Sequence, residues 1–197
     1  MNIENIVEQL YNDLKPTVKY VRLCGSRSFP FIYNPRDIDV VFVCKDKKEA
    51  ERVYRERYLV AQSYFKRELH LDIHFYALEE EGERFPLCIN IPYLITFNNN
   101  SKLGKRPKEK RSLEELIAKE KGNLVSYIWE IKQKYEDIYS AKLWYNIYLS
   151  LCIIKNKSYD LSDEQIKNIN ILHDGEDKTL NKRKTLIDDM LEEIYSW

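Results

Sequence analysis

The stretch DIDVVFVC at residues 37–44 places the strongest limit on how this chain folds. Residues 40–43 are apolar at four consecutive positions, so both faces of a strand formed here would be apolar. Such a strand is typical of the centre of a sheet that is covered on both sides. The sequence therefore predicts a layered protein with the strand 37–44 inside it.

The surrounding segments predict a mixture of helices and strands. Apolar residues recur at helical spacing over 3–15, and VKYVRLC at 18–24 is typical of a strand. A charged helix is predicted over 45–60, and alternation of apolar and polar residues predicts a third strand over 67–78. The polar face of that strand would carry His70, Asp72, His74 and Tyr76.

The second half of the chain predicts a helical region. Residues 102–111 are polar and basic, which is typical of a loop, and capping boxes are predicted at Ser112–Glu115 and Ser162–Gln165. Helical spacing follows over 113–136, 139–155, 163–172 and 179–195. The predicted fold class is α+β, with one domain over 1–100 and a helical domain over 112–197.

Composition excludes several classes of protein. Lys and Arg number 32, and Asp and Glu also number 32, so the overall charge favours neither nucleic acid nor membrane as a partner. The four cysteines are widely scattered, which argues against a zinc site or a disulfide framework. The most apolar segment, 145–154, is about ten residues long, whereas a membrane-spanning helix needs roughly 20. The N-terminus also lacks the pattern of a signal peptide, and we expect a cytoplasmic protein with no membrane contact.

Three carboxylates and a glycine turn are the candidate site. Asp37 and Asp39 are two residues apart, so in a strand they project from the same side, and Asp72 on another strand can join them. Three converging carboxylates repel one another unless cations lie between them, and oxygen ligands suit Mg²⁺ or Mn²⁺. Gly25 permits a close backbone approach, and the hydroxyl of Ser26 suits a phosphate. Such a combination is typical of two-metal phosphoryl transfer.

These residues resemble the signature of the DNA polymerase β-like nucleotidyltransferase superfamily. That signature is a hydrophobic residue, Gly, then Gly or Ser, about ten residues, a pair of Asp alternating with hydrophobic residues, and a later Asp between hydrophobic residues. The matching residues are Cys24-Gly25-Ser26, Asp37-Ile38-Asp39-Val40 and Leu71-Asp72-Ile73. The predicted order of elements is also similar, and the resemblance covers roughly residues 1–80.

The resemblance implies a nucleotidyltransferase-fold mixed sheet with flanking helices, followed by a helical bundle. It implies that Asp37 and Asp39 bind two Mg²⁺ ions, with Mn²⁺ as a substitute, and that Asp72 completes the metal site. Gly25 and Ser26 would hold the triphosphate of an NTP. The implied reaction is attack of an acceptor hydroxyl on the α-phosphate with release of pyrophosphate.

The chain departs from the family pattern near the serine. Many small members carry a basic residue two positions after it, where this chain has Ser28. Arg27 and Arg36 are the cations that would neutralise phosphate charge instead. The acceptor stays open between RNA or tRNA, a protein and a small molecule, and the general base is either Asp72 or a carboxylate of the helical half.

Several alternatives stand beside this interpretation. The aspartates can be helix caps and solvated strand ends, or the fold can be an inactive nucleotidyltransferase-like binding partner such as an antitoxin. The pattern His70-x-Asp72-x-His74 can be a transition-metal site of a hydrolase.

The basic stretch 102–111 is either a solvated loop or an arm that contacts phosphates. Most aromatic residues of the helical half are predicted to pack in the core, with one or two lining an acceptor pocket: Tyr127, Trp129, Tyr135, Tyr139, Trp144, Tyr145 and Tyr148.

Overall fold

The computed structural model describes residues 2–80, 101–105, 107–174 and 179–197. Contacts divide the chain into two compact units. The described residues of the first unit are 2–30, 35–80, 101–105 and 107–108. Those of the second are 31–34, 109–174 and 179–197. The domain limits predicted at 100 and 112 stay predictions, because 81–100 lies outside the described residues.

The first unit contains a three-stranded sheet with helices beside it. In chain order its elements are α1 (Ile3–Leu14), β1 (Val18–Cys24), β2 (Ile38–Cys44), α2 (Lys47–Val53), α3 (Gln62–Leu69) and β3 (Leu71–Ala77). The strand order is β1-β2-β3, with β1 antiparallel and β3 parallel to the central strand. The sheet is therefore mixed, and the predicted α+β class is confirmed.

The two faces of the sheet differ in what they bury. Alternation turns Val40 and Phe42 toward one face, where they are fully buried with the apolar residues of α1. Val41 and Val43 turn to the other face and form a smaller buried cluster with Tyr20, Cys24 and Tyr76. Both faces of β2 are thus covered, as the run of apolar residues predicts.

The third strand begins later than its alternation predicts. Residues 67–69 continue α3, and His70 ends that helix in the left-handed conformation, with φ of 49°. Its N–H group donates to the carbonyl of Phe65, which satisfies one of the last helical acceptors. The prediction of a strand from residue 67 is therefore wrong at its start, and His70 is not on the polar face of β3.

The charged helix predicted over 45–60 is interrupted. The α-helix α2 ends at Val53, and Tyr54–Tyr58 continues as a π turn in which the Leu59 N–H group donates to the Tyr54 carbonyl at 2.9 Å. The wider turn accompanies a buried Tyr58 whose hydroxyl accepts from the Ile73 N–H group at 3.2 Å. This bond satisfies a backbone donor of β3 that β2 does not use.

The second unit is helical, as predicted. Its helices are α4 (Leu113–Lys134), α5 (Trp144–Asn156), α6 (Asp163–Asp174) and α7 (Leu180–Tyr195). Both predicted capping boxes are present, at Ser112 with Glu115 and at Ser162 with Gln165. Helices α4 and α6 therefore begin at the residues that the capping boxes predict.

The helix predicted from residue 139 begins instead at Trp144. The buried guanidinium of Arg183 binds the carbonyls of Tyr139 and Ala141 at 2.7 and 2.8 Å. The indole N–H group of Trp144 donates to the Ile138 carbonyl at 2.7 Å. Carbonyls engaged by side chains in this way are satisfied without a helix, and a tertiary contact therefore overrides the local helical pattern.

The predicted packing of the aromatic residues holds for only part of the set. Trp144 and Tyr145 are buried, whereas Trp129 and Tyr135 are exposed. Tyr127, Tyr139 and Tyr148 are half-buried, so most of the set packs as predicted, and an acceptor pocket lined by one or two of the aromatic residues stays a prediction. Among the described residues Cys24, Cys44 and Cys152 are buried and form no disulfide, and Cys88 lies outside them. No helix in the described part of the chain has the length and apolar character needed to cross a bilayer.

Candidate metal and nucleotide site

The ends of three strands meet at one edge of the sheet. Cys24, the last residue of β1, is paired with Asp39 on the antiparallel strand β2. Asp39 is in turn paired with Asp72 on the parallel strand β3. Residues in register on neighbouring strands lie on the same face, so the sheet brings together two carboxylates that are far apart in the sequence.

A third possible metal ligand lies two residues along β3. Asp39, Asp72 and His74 each offer one ligand atom, and these atoms all lie within 4.8 Å of one another. His74 Nε2 is 3.7 Å from Asp72 Oδ1. That oxygen is buried and has no hydrogen-bond partner among the described residues. Two carboxylates and an imidazole, with a buried oxygen left over, fit a divalent cation.

The charges around this group are only partly balanced. Burial raises the pKa of Asp39, and the carboxylates of Asp72 and Asp37 raise it further, while His74 and Lys66 lower it. Lys66 Nζ lies 3.0 Å from Asp72 Oδ2, and this ion pair raises the pKa of Lys66. The three carboxylates therefore outnumber the two groups that offset them, Lys66 and His74, and a cation bound there would be favoured.

The turn at Gly25 lies in close contact with this site. Gly25 has φ of 64° and ψ of −162°, a conformation that is essentially limited to glycine. A Cβ atom at this position would lie 2.8 Å from Asp39 Cγ and 3.2 Å from Asp39 Cβ, and nearer still to Oδ2. The predicted close approach is therefore present, and the group that the backbone approaches is the Asp39 carboxylate.

Ser26 begins a short 3₁₀ turn, Ser26–Ser28, and is buried. The Ser28 hydroxyl donates to the Gly25 carbonyl at 2.6 Å, and the Ser28 N–H group reaches the same oxygen at 3.1 Å. Ser28 thus fixes the turn that contains Gly25 and Ser26. The phosphate-binding role of these two residues stays a prediction.

The other predicted residues are not members of the Asp39–Asp72–His74 group. Asp37 is exposed because β2 begins only at Ile38, although it is near enough to raise the pKa of Asp39. Arg36 is exposed. Arg27 is exposed and donates to the Pro35 carbonyl at 3.2 Å. The roles of these three side chains in binding metal or nucleotide stay predictions.

The histidine pattern is only half preserved. His74 lies beside Asp72, but His70 caps α3, so the predicted His70-x-Asp72-x-His74 strand face does not exist as such. The sequence gives no signal for Lys66. Its ion pair with Asp72 depends on the end of α3 lying against the start of β3, a tertiary arrangement that spacing alone does not reveal.

The basic stretch is partly neutralised and partly anchored. Lys102 Nζ lies 3.6 Å from Glu8 Oε1, and the Arg111 guanidinium lowers the pKa of Glu109 to about 2 through a contact of 2.8 Å. Leu103 is buried in the core of the first unit. Arg106 lies outside the described residues. The exposed lysines of the stretch are Lys102, Lys105, Lys108 and Lys110.

No family model matches the chain, and no curated protein or solved structure is significantly similar to it. The description of the mixed sheet and of the carboxylate site therefore depends only on the geometry of this chain.

Proposed function

We propose that the chain is a metal-dependent nucleotidyltransferase that transfers NMP from an NTP to a hydroxyl acceptor and releases pyrophosphate. The observation that carries the proposal is the register of Asp39 with Asp72 at the sheet edge where the Gly25 turn approaches Asp39. Paired carboxylates beside a backbone turn supply what phosphoryl transfer requires, namely cation ligands and donors for phosphate oxygens.

The residues present fit the divalent cations that this reaction uses. Asp39 and Asp72 would hold Mg²⁺ or Mn²⁺, with Asp37 just before β2 as a further ligand and the buried Asp72 Oδ1 as an available oxygen. Bound cations would neutralise charge on the phosphates and on the leaving pyrophosphate. His74 adds a nitrogen donor, which Mn²⁺ accepts more readily than Mg²⁺ does.

The residues of the chain itself position the nucleotide. Gly25 lets the backbone at the end of β1 come close to Asp39, where a Cβ atom would collide with the carboxylate, and its positive φ turns the chain there. The Ser26 hydroxyl would donate to a phosphate oxygen, in a turn that the Ser28 side chain holds closed. Arg27 within this turn and Arg36 before β2 are exposed cations that would attract the triphosphate.

The proposal is tested by incubating the protein with each NTP labelled at the α-phosphate, with Mg²⁺ or Mn²⁺, and with total cellular RNA or protein. We expect a labelled acceptor in one fraction, and its loss in Asp39→Asn. Asp13→Asn is a matched control, because Asp13 is an exposed carboxylate on α1 and outside the site. Failure to label any acceptor, or full labelling by Asp39→Asn, would contradict the proposal.

A specific observation favours a second candidate, a non-catalytic nucleotidyltransferase-like binding partner. The Lys66 ammonium already forms an ion pair with Asp72, so a side chain supplies positive charge where a cation would otherwise bind. Calorimetric titration with Mn²⁺ separates the two candidates. Saturable Mn²⁺ binding that Asp39→Asn abolishes supports the enzyme, whereas no binding together with no labelling supports the binding partner.

A further inference from the structure

Helix α4 of the second unit carries an unusual exposed face. Between Ala118 and Gln133 the exposed charged residues are two lysines, Lys121 and Lys132, while the partly exposed Glu130 is paired with Lys134. Between them lie Val125 and Trp129, with 43% and 65% of their surface exposed. A single exposed apolar residue is ordinary, so Trp129 becomes informative only if further exposed aromatic residues adjoin it.

Two aromatic rings from the end of the chain adjoin the same lysines. The Lys132 ammonium lies 3.0 Å from the Tyr195 hydroxyl and 4.8 Å from the centre of its ring. The Lys121 ammonium lies 4.8 Å from the centre of the Trp197 ring. Both rings remain about half exposed. We call Lys121, Val125, Trp129, Lys132, Tyr195 and Trp197 the aromatic–lysine face.

The dimensions of this face suit an extended ligand. Lys121 and Lys132 are 11 positions apart, which corresponds to about 16 Å along the helix at a rise of 1.5 Å per residue. Trp129 and Val125 lie between the two cations and follow the same stripe at a spacing of four residues. Positive charges at the two ends therefore enclose aromatic and apolar surface.

The chemistry of the face identifies its ligand class. Lysine is depleted at the centres of protein–protein interfaces, so its presence on both sides of Trp129 disfavours a protein partner. Single-stranded nucleic acid offers the complementary pattern, because phosphates pair with ammonium groups and unpaired bases stack on aromatic rings. We propose that the aromatic–lysine face binds single-stranded nucleic acid, with bases stacked on Trp129 and Tyr195 and phosphates contacting Lys121 and Lys132.

The inference deepens the proposed function, because it names single-stranded nucleic acid as the acceptor class, and it rests on that function only for the transfer step. Binding itself needs neither NTP nor metal. It is measured by fluorescence anisotropy of the full chain with a labelled oligouridylate of about 12 nucleotides, within the range of known single-strand site sizes. The matching oligodeoxythymidylate distinguishes RNA from DNA, and an abasic oligomer of equal charge isolates the contribution of the bases.

Substitutions at Trp129 separate stacking from other contacts. Trp129→Leu should weaken binding by about five- to 150-fold, because stacking on an aromatic residue is lost. Trp129→Phe keeps a stacking ring and should retain most of the affinity. Because Trp129 is mostly exposed, neither change should affect folding, which circular dichroism verifies.

Substitutions at the lysines test the phosphate contacts. Replacing both Lys121 and Lys132 by Gln should lower the slope of log K against log salt by roughly 1.4, at about 0.7 for each contact. Lys182→Gln is the matched control, since Lys182 is an exposed lysine of α7 outside the face, and it should leave the slope unchanged.

Three results would overturn the proposal. They are no saturable binding of the oligouridylate or oligodeoxythymidylate, equal affinity for the abasic oligomer, or equal affinity of Trp129→Leu and Trp129→Phe. Equal affinity of the two Trp129 variants would be expected if residue 129 bound an apolar groove of a partner protein, because Leu and Phe both fill such a groove. Asp39→Asn should bind the oligomer normally, so binding without transfer would leave this inference standing while the proposed enzymatic function fails.

Discussion

Replacing Gly25 by alanine is the sharpest test of the site geometry. The position has φ of 64° and ψ of −162°, and forcing a residue with a Cβ atom into that region costs about 1–3 kcal/mol. The added Cβ atom would also lie 2.8 Å from Asp39 Cγ, and such overpacking costs about 1–3 kcal/mol more. We therefore expect Gly25→Ala to lower the free energy of unfolding by about 2–6 kcal/mol.

The two contributions are separated by a double-mutant cycle. Asp39→Ala removes the Oδ2 and Cγ atoms that the new Cβ would meet, while the backbone strain at residue 25 remains. In that background Gly25→Ala should cost only about 1–3 kcal/mol, which leaves a coupling energy of about 1–3 kcal/mol between the two sites.

The measurement is urea unfolding followed by far-ultraviolet circular dichroism in the presence of EDTA. Gly122→Ala is the control, because Gly122 lies inside α4, and nothing is within 4 Å of an added Cβ atom. It should stabilise the protein by up to about 1 kcal/mol through helix propensity. Additive effects of Gly25→Ala and Asp39→Ala would refute the close approach of the turn to the carboxylate.

Three further predictions concern single residues of the site. Burial raises the pKa of Asp39 above its ordinary value of 3.8, so protonated Asp39 stabilises the fold below that pH and this contribution is lost as the pH rises. In EDTA, the urea midpoint of the wild type should therefore fall more steeply above pH 3.8 than the midpoint of Asp39→Asn. Parallel curves for the two proteins would be evidence against this. His70→Gly should stabilise the protein by up to about 1 kcal/mol, because His70 has φ of 49°, and should leave Mn²⁺ binding unchanged, whereas His74→Ala should weaken it in calorimetric titration. Ser26→Ala should lower kcat/KM for the NTP by roughly ten- to a hundredfold without changing Mn²⁺ binding, and an unchanged kcat/KM would place phosphate recognition elsewhere.

The parts of the fold that follow from the sequence are those set by burial. The apolar run 40–43 predicts a strand covered on both faces, and β2 is that strand. Asp39 and Asp72 lie on two predicted strands, and the sequence predicts that their carboxylates come together. The structure pairs the two residues on the neighbouring strands β2 and β3. Burial dominates these choices, so local pattern and tertiary structure agree.

The sequence is less informative where two patterns coexist. Residues 67–70 alternate like a strand, but Phe65 and Leu69 are also spaced as on a helix, and the helix continues until His70 turns left-handed. Nothing in a histidine marks that conformation, which glycine or asparagine would signal. Asp37 illustrates a related limit, because β2 begins one residue later than predicted, and Asp37 is exposed and outside the group that Asp39 forms with Asp72 and His74.

The central claim is that the site transfers the α-phosphoryl group of an NTP to a hydroxyl. The most direct measurement compares parallel reactions with one NTP labelled at the α-phosphate and at the γ-phosphate, in the presence of the acceptor fraction and Mn²⁺ or Mg²⁺. The account predicts that the α label becomes attached to the acceptor and the γ label appears as pyrophosphate, and that Asp39→Asn does neither. Transfer of the γ label to the acceptor, or its release as orthophosphate without labelling by the α-phosphate, would contradict the account.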